Sequence, residues 1–183
     1  MIVYQAYRPE IASFAVKHGR FGGDFSYARM SWVKPNFLWM MYRSAWGSKE
    51  GQELTLALRL RRSFFDSLLA QAVPSTWDRN LFTTQDFWSQ ALARSSVRLQ
   101  WDPDHDPSGA PLSRRAIQLG LRGETLQAFG QQELIEVIDL SEFVAEQRSR
   151  LSLEGVRALF TPRERVYLPK EESIAVRLGL ACS

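Results

Sequence analysis

The hydrophobic and polar positions of the chain follow two rhythms, and the changes between them mark the elements. Ile2 to Tyr7 is rich in β-branched and aromatic residues, the composition of a strand. Pro9 then opens a helix, with Ile11, Ala12, Ala15 and Val16 on one face and Gly19 as its stop. Gly22-Gly23 is a turn, and a short extended piece follows around Phe25 to Arg29. From Glu53 to Leu60 the period is two, with Leu54, Leu56, Leu58 and Leu60 on one side of a half-buried strand. Ser63 can cap a helix from Phe64 to Val73 that Pro74 ends, and Thr84 another from about Gln85 to Arg94. Val97 to Trp101 reads as strand, and Asp102 to Pro111 as a turn-rich loop. Ala116 to Leu121 is again strand, where Gly120 marks a bulge or a close backbone approach. Gly123 to Phe129 is a short helix, Glu133 to Leu140 a strand, and Ser141 caps a helix to about Arg150. A further helix and a strand around Arg165 to Leu168 complete the chain. This irregular interleaving predicts an α+β fold with a mixed or antiparallel central sheet and flanking helices. The expected division is a domain over residues 1–150 and a C-terminal extension of unassigned role over 151–183.

One stretch breaks both rhythms. Arg29 to Trp46 gathers Trp, Phe, Tyr and Met around Arg29, Lys34 and Arg43, and Phe37 to Tyr42 is apolar on every face. A surface helix keeps its apolar residues to one stripe, so this piece is either buried all round or covered by a ligand. Pro35 suits the first turn of a helix and pushes Lys34 towards extended geometry. Lys34 then sits at the positive end of a helix dipole, where a phosphate or carboxylate is a favoured neighbour. The alternative is a central core helix whose basic residues reach out to water.

Composition narrows the class. The chain has 183 residues, 45% hydrophobic and 23% charged, which is globular rather than disordered. Its formal net charge of +3 permits a polyanionic partner without requiring one. Among the cations only Lys17, Lys34, Lys49 and Lys170 are lysines. Arginine binds phosphate bidentately and stacks on aromatic faces, so the Arg-plus-Trp composition leans towards nucleotide contact, although codon bias gives the same enrichment. Cys182 is the only cysteine and excludes an intrachain disulfide, in keeping with a reducing compartment. His18 and His105 are the only histidines, too few for a Cys/His zinc site, and no metal is expected. With no charged n-region and no long apolar run, the expectation is a soluble cytoplasmic protein without a membrane partner.

The standard catalytic signatures are missing: no phosphate-binding loop, no dinucleotide fingerprint and no nucleophile elbow. Asp102, Asp104, His105 and Asp106 are the one group resembling a hard-cation site, and a solvated turn with His105 exposed accounts for them more simply. Between Arg114 and Glu124, Ala116, Gln118 and Gly120 share one strand face, and Ile117, Leu119 and Leu121 the other. Gln118 is therefore either part of a cleft wall presenting an amide or part of an ordinary solvent face.

The segments Tyr4-Gln5-Ala6-Tyr7, Gly19-Arg20-Phe21, Met30 to Pro35, Phe37 to Trp46, Leu58 to Arg62, Trp101-Asp102-Pro103 and Ile117 to Gly123 resemble a microbial family known as domain of unknown function 4291. This resemblance covers most of Ile2 to Val144 and stops at about Arg150. More distantly, the order of parts is similar to the NAD-dependent ADP-ribosyltransferases, especially the toxin-like branch that modifies nucleic acid bases. Tyr4 to Tyr7 matches their first motif, Lys34 to Tyr42 the second and Arg115 to Arg122 the last.

The second resemblance implies an ADP-ribosyltransferase-like fold that binds NAD as substrate and transfers ADP-ribose to RNA, DNA or a small acceptor. It implies that Gln5 and Tyr7 hold the nicotinamide-side ribose, that Lys34 and Arg43 face the pyrophosphate, and that Trp32 stacks on a ring. Gln118 takes the catalytic position, helped by Arg122 or Glu124. Two residues depart from the pattern: Gln5 replaces a His or Arg, and Gln118 replaces a Glu. An amide keeps the hydrogen bond of a carboxylate but supplies neither its charge nor a base. The competing expectation is a non-catalytic module for RNA or single-stranded DNA. It would use Arg20, Arg29, Arg43, Arg61 and Arg62 for phosphates, with Trp32 and Trp46 for stacking.

Overall fold

The computed structural model describes residues 1–180; Cys182 lies outside them. Strand β1 (Ile2–Tyr7) leads into helix α1 (Pro9–His18), which stops at Gly19 in the left-handed conformation, φ 64°. After an irregular stretch come β2 (Ser31–Val33), α2 (Phe37–Ser44), β3 (Leu54–Leu60), α3 (Arg62–Gln71) and the short β4 (Val73–Pro74). Then follow α4 (Gln85–Arg94), β5 (Val97–His105), β6 (Pro111–Leu121), α5 (Gly123–Gln131), β7 (Leu134–Asp139), α6 (Ser141–Glu154) and α7 (Glu172–Leu178). The fold class is α+β, as the interleaving indicates, but the strands form two sheets rather than one.

The first sheet has the order β1-β3-β7, antiparallel throughout. Its centre is β3, and there the period of two separates two apolar clusters. Leu56, Leu58 and Leu60 point with Val3 into the main core beside Phe65, Leu68 and Phe129. Ala57 points with Tyr4 to the opposite side, where Phe37, Met40, Met41 and Val144 cover it. The second sheet has the order β2-β6-β5-β4. Val33, Val97, Leu99, Leu119 and Leu121 line its inner face and join the main core. Its other face is polar, with Gln100 directly opposite Gln118 in the β5–β6 register.

Several boundaries differ from the sequence expectations, each for a physical reason. Phe25 to Arg29 is turn and loop, and extended pairing begins at Ser31, where β6 supplies a partner. Pro35 precedes the helix instead of lying in its first turn; Asn36 is the N-cap, its side chain accepting from Trp39 N at 2.6 Å. Neither Ser63 nor Ser141 caps: α3 begins one residue before Ser63, and the Ser141 hydroxyl accepts from Thr55 N instead. The supposed loop from Asp102 to Pro111 is mostly a β-hairpin, because β5 runs on to His105 against β6 and only Asp106 to Ala110 turns. His105 is buried, its ring stacked on Tyr42 at 3.7 Å. Arg165 to Leu168 is not a strand: Tyr167 packs edge-on against Phe65 and donates to Asp66.

Leu58 is fully buried at the centre of β3. Leu58→Ala is expected to lower unfolding free energy by roughly 3 kcal/mol in denaturant titration, whereas truncating an exposed aliphatic side chain should change it little. Leu153, 80% exposed on α6, is the matched control.

Candidate functional site

Where the two sheets meet, β1 and the end of β2 share one backbone bridge. Tyr4 N donates to Lys34 O at 2.7 Å and Lys34 N to Tyr4 O at 3.2 Å. Beyond it the strands part, and side chains replace the missing ladder. Gln5 Nε2 donates to Trp32 O at 3.0 Å and to Ser31 Oγ at 2.8 Å, and Ser31 Oγ also bonds the Tyr7 hydroxyl at 2.9 Å. A backbone carbonyl can only accept, so the contact to Trp32 O fixes which end of the amide is nitrogen. Gln5 Oε1 is thereby left buried with no partner among the described residues.

The gap opens into a cleft of about 770 Å³. Gln5, Tyr7 and Arg8 line it from β1 and its end, Arg29 to Trp32 from the loop and β2, and Trp39, Met40 and Arg43 from α2. Gln100, Asp102 and Gln118 line it from the polar face of the second sheet, and Lys34 stands at the junction. Gly120 makes room beside them. A Cβ there would lie 2.7 Å from Met30 Sδ and 2.9 Å from the Trp32 indole, so the close approach inferred from the sequence is real.

The cleft's electrostatics centre on two groups. Lys34 is only 6% exposed. Burial, then the nearby Arg43 guanidinium, pull its ammonium down to about 8, against a smaller opposing effect of Asp102. Asp102 accepts from two amides, Gln100 Nε2 on Oδ1 and Gln118 Nε2 on Oδ2, both at 2.8 Å. These bonds fix the carboxylate on the polar face. Burial also raises the Tyr7 hydroxyl far above its ordinary value. Trp39 Nε1, like Gln5 Oε1, is buried without a hydrogen-bond partner among the described residues. Native interiors rarely leave such groups unpaired, and here both belong to cleft-lining residues.

The structure thus gathers Gln5, Tyr7, Trp32, Lys34, Arg43, Gln118 and Arg29 around one cleft. Arg122 and Glu124 lie elsewhere. Arg122 donates from Nε to Ser95 O at 2.8 Å and from Nη2 to Ala93 O, satisfying carbonyls at the end of α4, while Glu124 is exposed in the first turn of α5. Arg20, Arg61 and Arg62 are also outside the lining. Arg61 pairs with Glu133, and Arg62 with the Tyr167 hydroxyl and Leu168 O. Trp46 packs edge-on against Phe37. Sequence reading missed Asp102 as a cleft residue, because the Asp/Pro-rich run suggested a turn. The usable signal was the alternation itself: one more step of the Arg98, Gln100 series places Asp102 beside Gln118. Among the described residues no group of three or more potential ligands could hold a metal ion, and no helix is long and apolar enough to cross a membrane.

The model of domain of unknown function DUF4291 matches residues 1–167. The chain belongs to this family. The match runs past Arg150, where the quoted resemblance stopped, and includes a structural contact between the two regions. Glu164 accepts from Phe37 N at 2.7 Å and from Asn36 Nδ2 at 3.1 Å, adding a carboxylate to the start of the cleft-lining helix α2. A comparison with curated proteins finds no match.

The Lys34 ammonium gives a pH test. Below about 8 it is charged in both folded and unfolded chains, and the folded state bears the cost of burying it. Between about 8 and its ordinary 10.5 only the unfolded chain holds the proton, so this group's contribution to stability should improve as pH rises through that window. Denaturation of the protein and of Lys34→Met across this range should converge as pH rises; parallel curves would mean that Lys34 keeps an ordinary ammonium.

Proposed function

We propose that the cleft binds NAD or a related nucleotide and that the chain is an ADP-ribosyltransferase-like enzyme, with RNA, DNA or a small molecule as acceptor. The carrying observation is that Gln5, Lys34 and Gln118, from three separate parts of the chain, line one cleft. Its volume of about 770 Å³ suits a small-molecule site. The amine of Lys34 with Arg29 and Arg43 supplies positive charge for a pyrophosphate. Trp32 and Trp39 supply ring surface, and Gln5 and Tyr7 form the wall against which the nicotinamide-side ribose would lie.

Asp102 answers the chemical difficulty raised by Gln118. Transfer breaks the bond between C1′ of the ribose and the nicotinamide nitrogen, and the bonding pair leaves with that nitrogen, which becomes neutral. Positive charge develops at C1′, and a carboxylate nearby stabilises it. The acceptor's oxygen or nitrogen then bonds to C1′ and passes its proton to Asp102, acting as general base, and on to water. Gln118 positions Asp102 through its amide. Glu124 has no part.

NAD and ADP-ribose at a hundred times their dissociation constants should stabilise the protein by about 2.7 kcal/mol in thermal-shift measurements. Absence of any shift at millimolar ligand sinks the reading. Lys34→Ala should weaken nucleotide binding by roughly tenfold or more, through loss of a charge-assisted contact. Asp102→Asn should keep the shift while lowering release of nicotinamide from NAD by about a hundredfold or more. Glu124→Gln should change neither.

A further inference from the structure

The four lysines stand in two environments. Lys17, Lys49 and Lys170 are exposed, whereas Lys34 is 6% exposed and opens onto the cleft. Its backbone is clamped by the bridge to Tyr4, so the direction of its side chain is set by the sheet junction. None of the ion pairs among the described residues includes it. Its amine instead lies 5.7 Å from the centre of the Trp39 indole, with the Arg43 guanidinium adding repulsion. A lysine desolvated beside another cation sheds its proton readily and becomes a nucleophile. Arg29 and Arg43 line the same cleft and can hold an anionic group on the molecule it attacks. Asp102 is the carboxylate whose field reaches the amine.

We propose that Lys34 captures aldehydes carrying a phosphate group, as an imine formed within the cleft. The neutral amine attacks the carbonyl carbon, the π pair moves to oxygen, and a proton passes from nitrogen to that oxygen to give a carbinolamine. Asp102 then takes the remaining proton from the nitrogen and relays it to the hydroxyl, which leaves as water while the nitrogen pair forms the C=N bond. The sum is amine plus aldehyde giving imine plus water, with nothing oxidised or reduced. Arg29 and Arg43 hold the phosphate. The activity stands on the surroundings of Lys34 and does not require NAD.

Pyridoxal 5′-phosphate is the probe, with borohydride to reduce the imine to a stable secondary amine and peptide mass spectrometry to locate it. At low reagent ratios the adduct is expected on Lys34 ahead of Lys17, Lys49, Lys170 and the N-terminus. Pyridoxal lacking the phosphate should label Lys34 about tenfold less, the worth of roughly one charge-assisted contact. Lys34→Arg should keep the positive charge and abolish labelling at the site. The proposal is overturned if label follows exposure across the lysines, or if pyridoxal labels Lys34 as well as its phosphate does. Should Lys34→Arg fail to fold, the distribution of label in the unsubstituted protein decides the question. NAD stabilisation without a Lys34 adduct removes this proposal and leaves the nucleotide reading; an adduct without NAD stabilisation does the reverse.

Discussion

The two-bond bridge between Tyr4 and Lys34 is the constraint on which the cleft depends. Were the pairing continued along β1 and β2, the two sheets would merge and the space between them would close. It stops after one residue pair, and the Gln5 amide takes over by bonding Trp32 O and Ser31. That exchange holds the strands at a separation that a backbone ladder would not allow. It also leaves the other end of the Gln5 amide, its oxygen, buried without a hydrogen-bond partner among the described residues.

Around this junction the polar groups of the sheets are gathered on the cleft side, among aromatic and Met side chains. The second sheet turns its aliphatic face to the main core and its amides, together with Asp102, to the cleft. Helix α2 divides in a similar way from the other side: Phe37 and Met41 cover the first sheet, Trp39 and Arg43 line the opening, and Met40 lies at the boundary of the two. The buried amine of Lys34 is a cost to the folded state that no ion pair among the described residues offsets. A group kept under those terms is more easily explained by chemistry than by stability. Gly120 follows the same logic, since any side chain there would displace Met30 or Trp32.

Much of this was readable in the chain, but unevenly. Strands such as β1 and β3 and helices such as α1 and α4 carry their own signals, namely a period of two, a proline start, a glycine stop or a threonine cap. Ser63 and Ser141 carry the same cap signal and do not cap, because a neighbouring strand or an earlier helix start takes priority. The Asp102 run shows the larger failure. Its composition is that of a turn, yet pairing with β6 holds it extended as far as His105, since a hairpin partner supplies more than local preference can oppose. His105 was misplaced with it, and ends up stacked under Tyr42.

By itself the sequence determined the fold class, the family and the identity of the unusual segment, because these rest on composition, periodicity and residue order, which are properties of neighbours along the chain. It also marked Lys34 and Gln118 as candidates from local pattern, each beside an ordinary structural alternative, and Gln5 through the more distant resemblance. Only the tertiary structure decided that these three line one cleft, that Asp102 joins them, and that Arg122 and Glu124 do not. The reason is geometric: convergence depends on where two sheets part and on the register of β5 against β6, and neither distance is encoded within any single element.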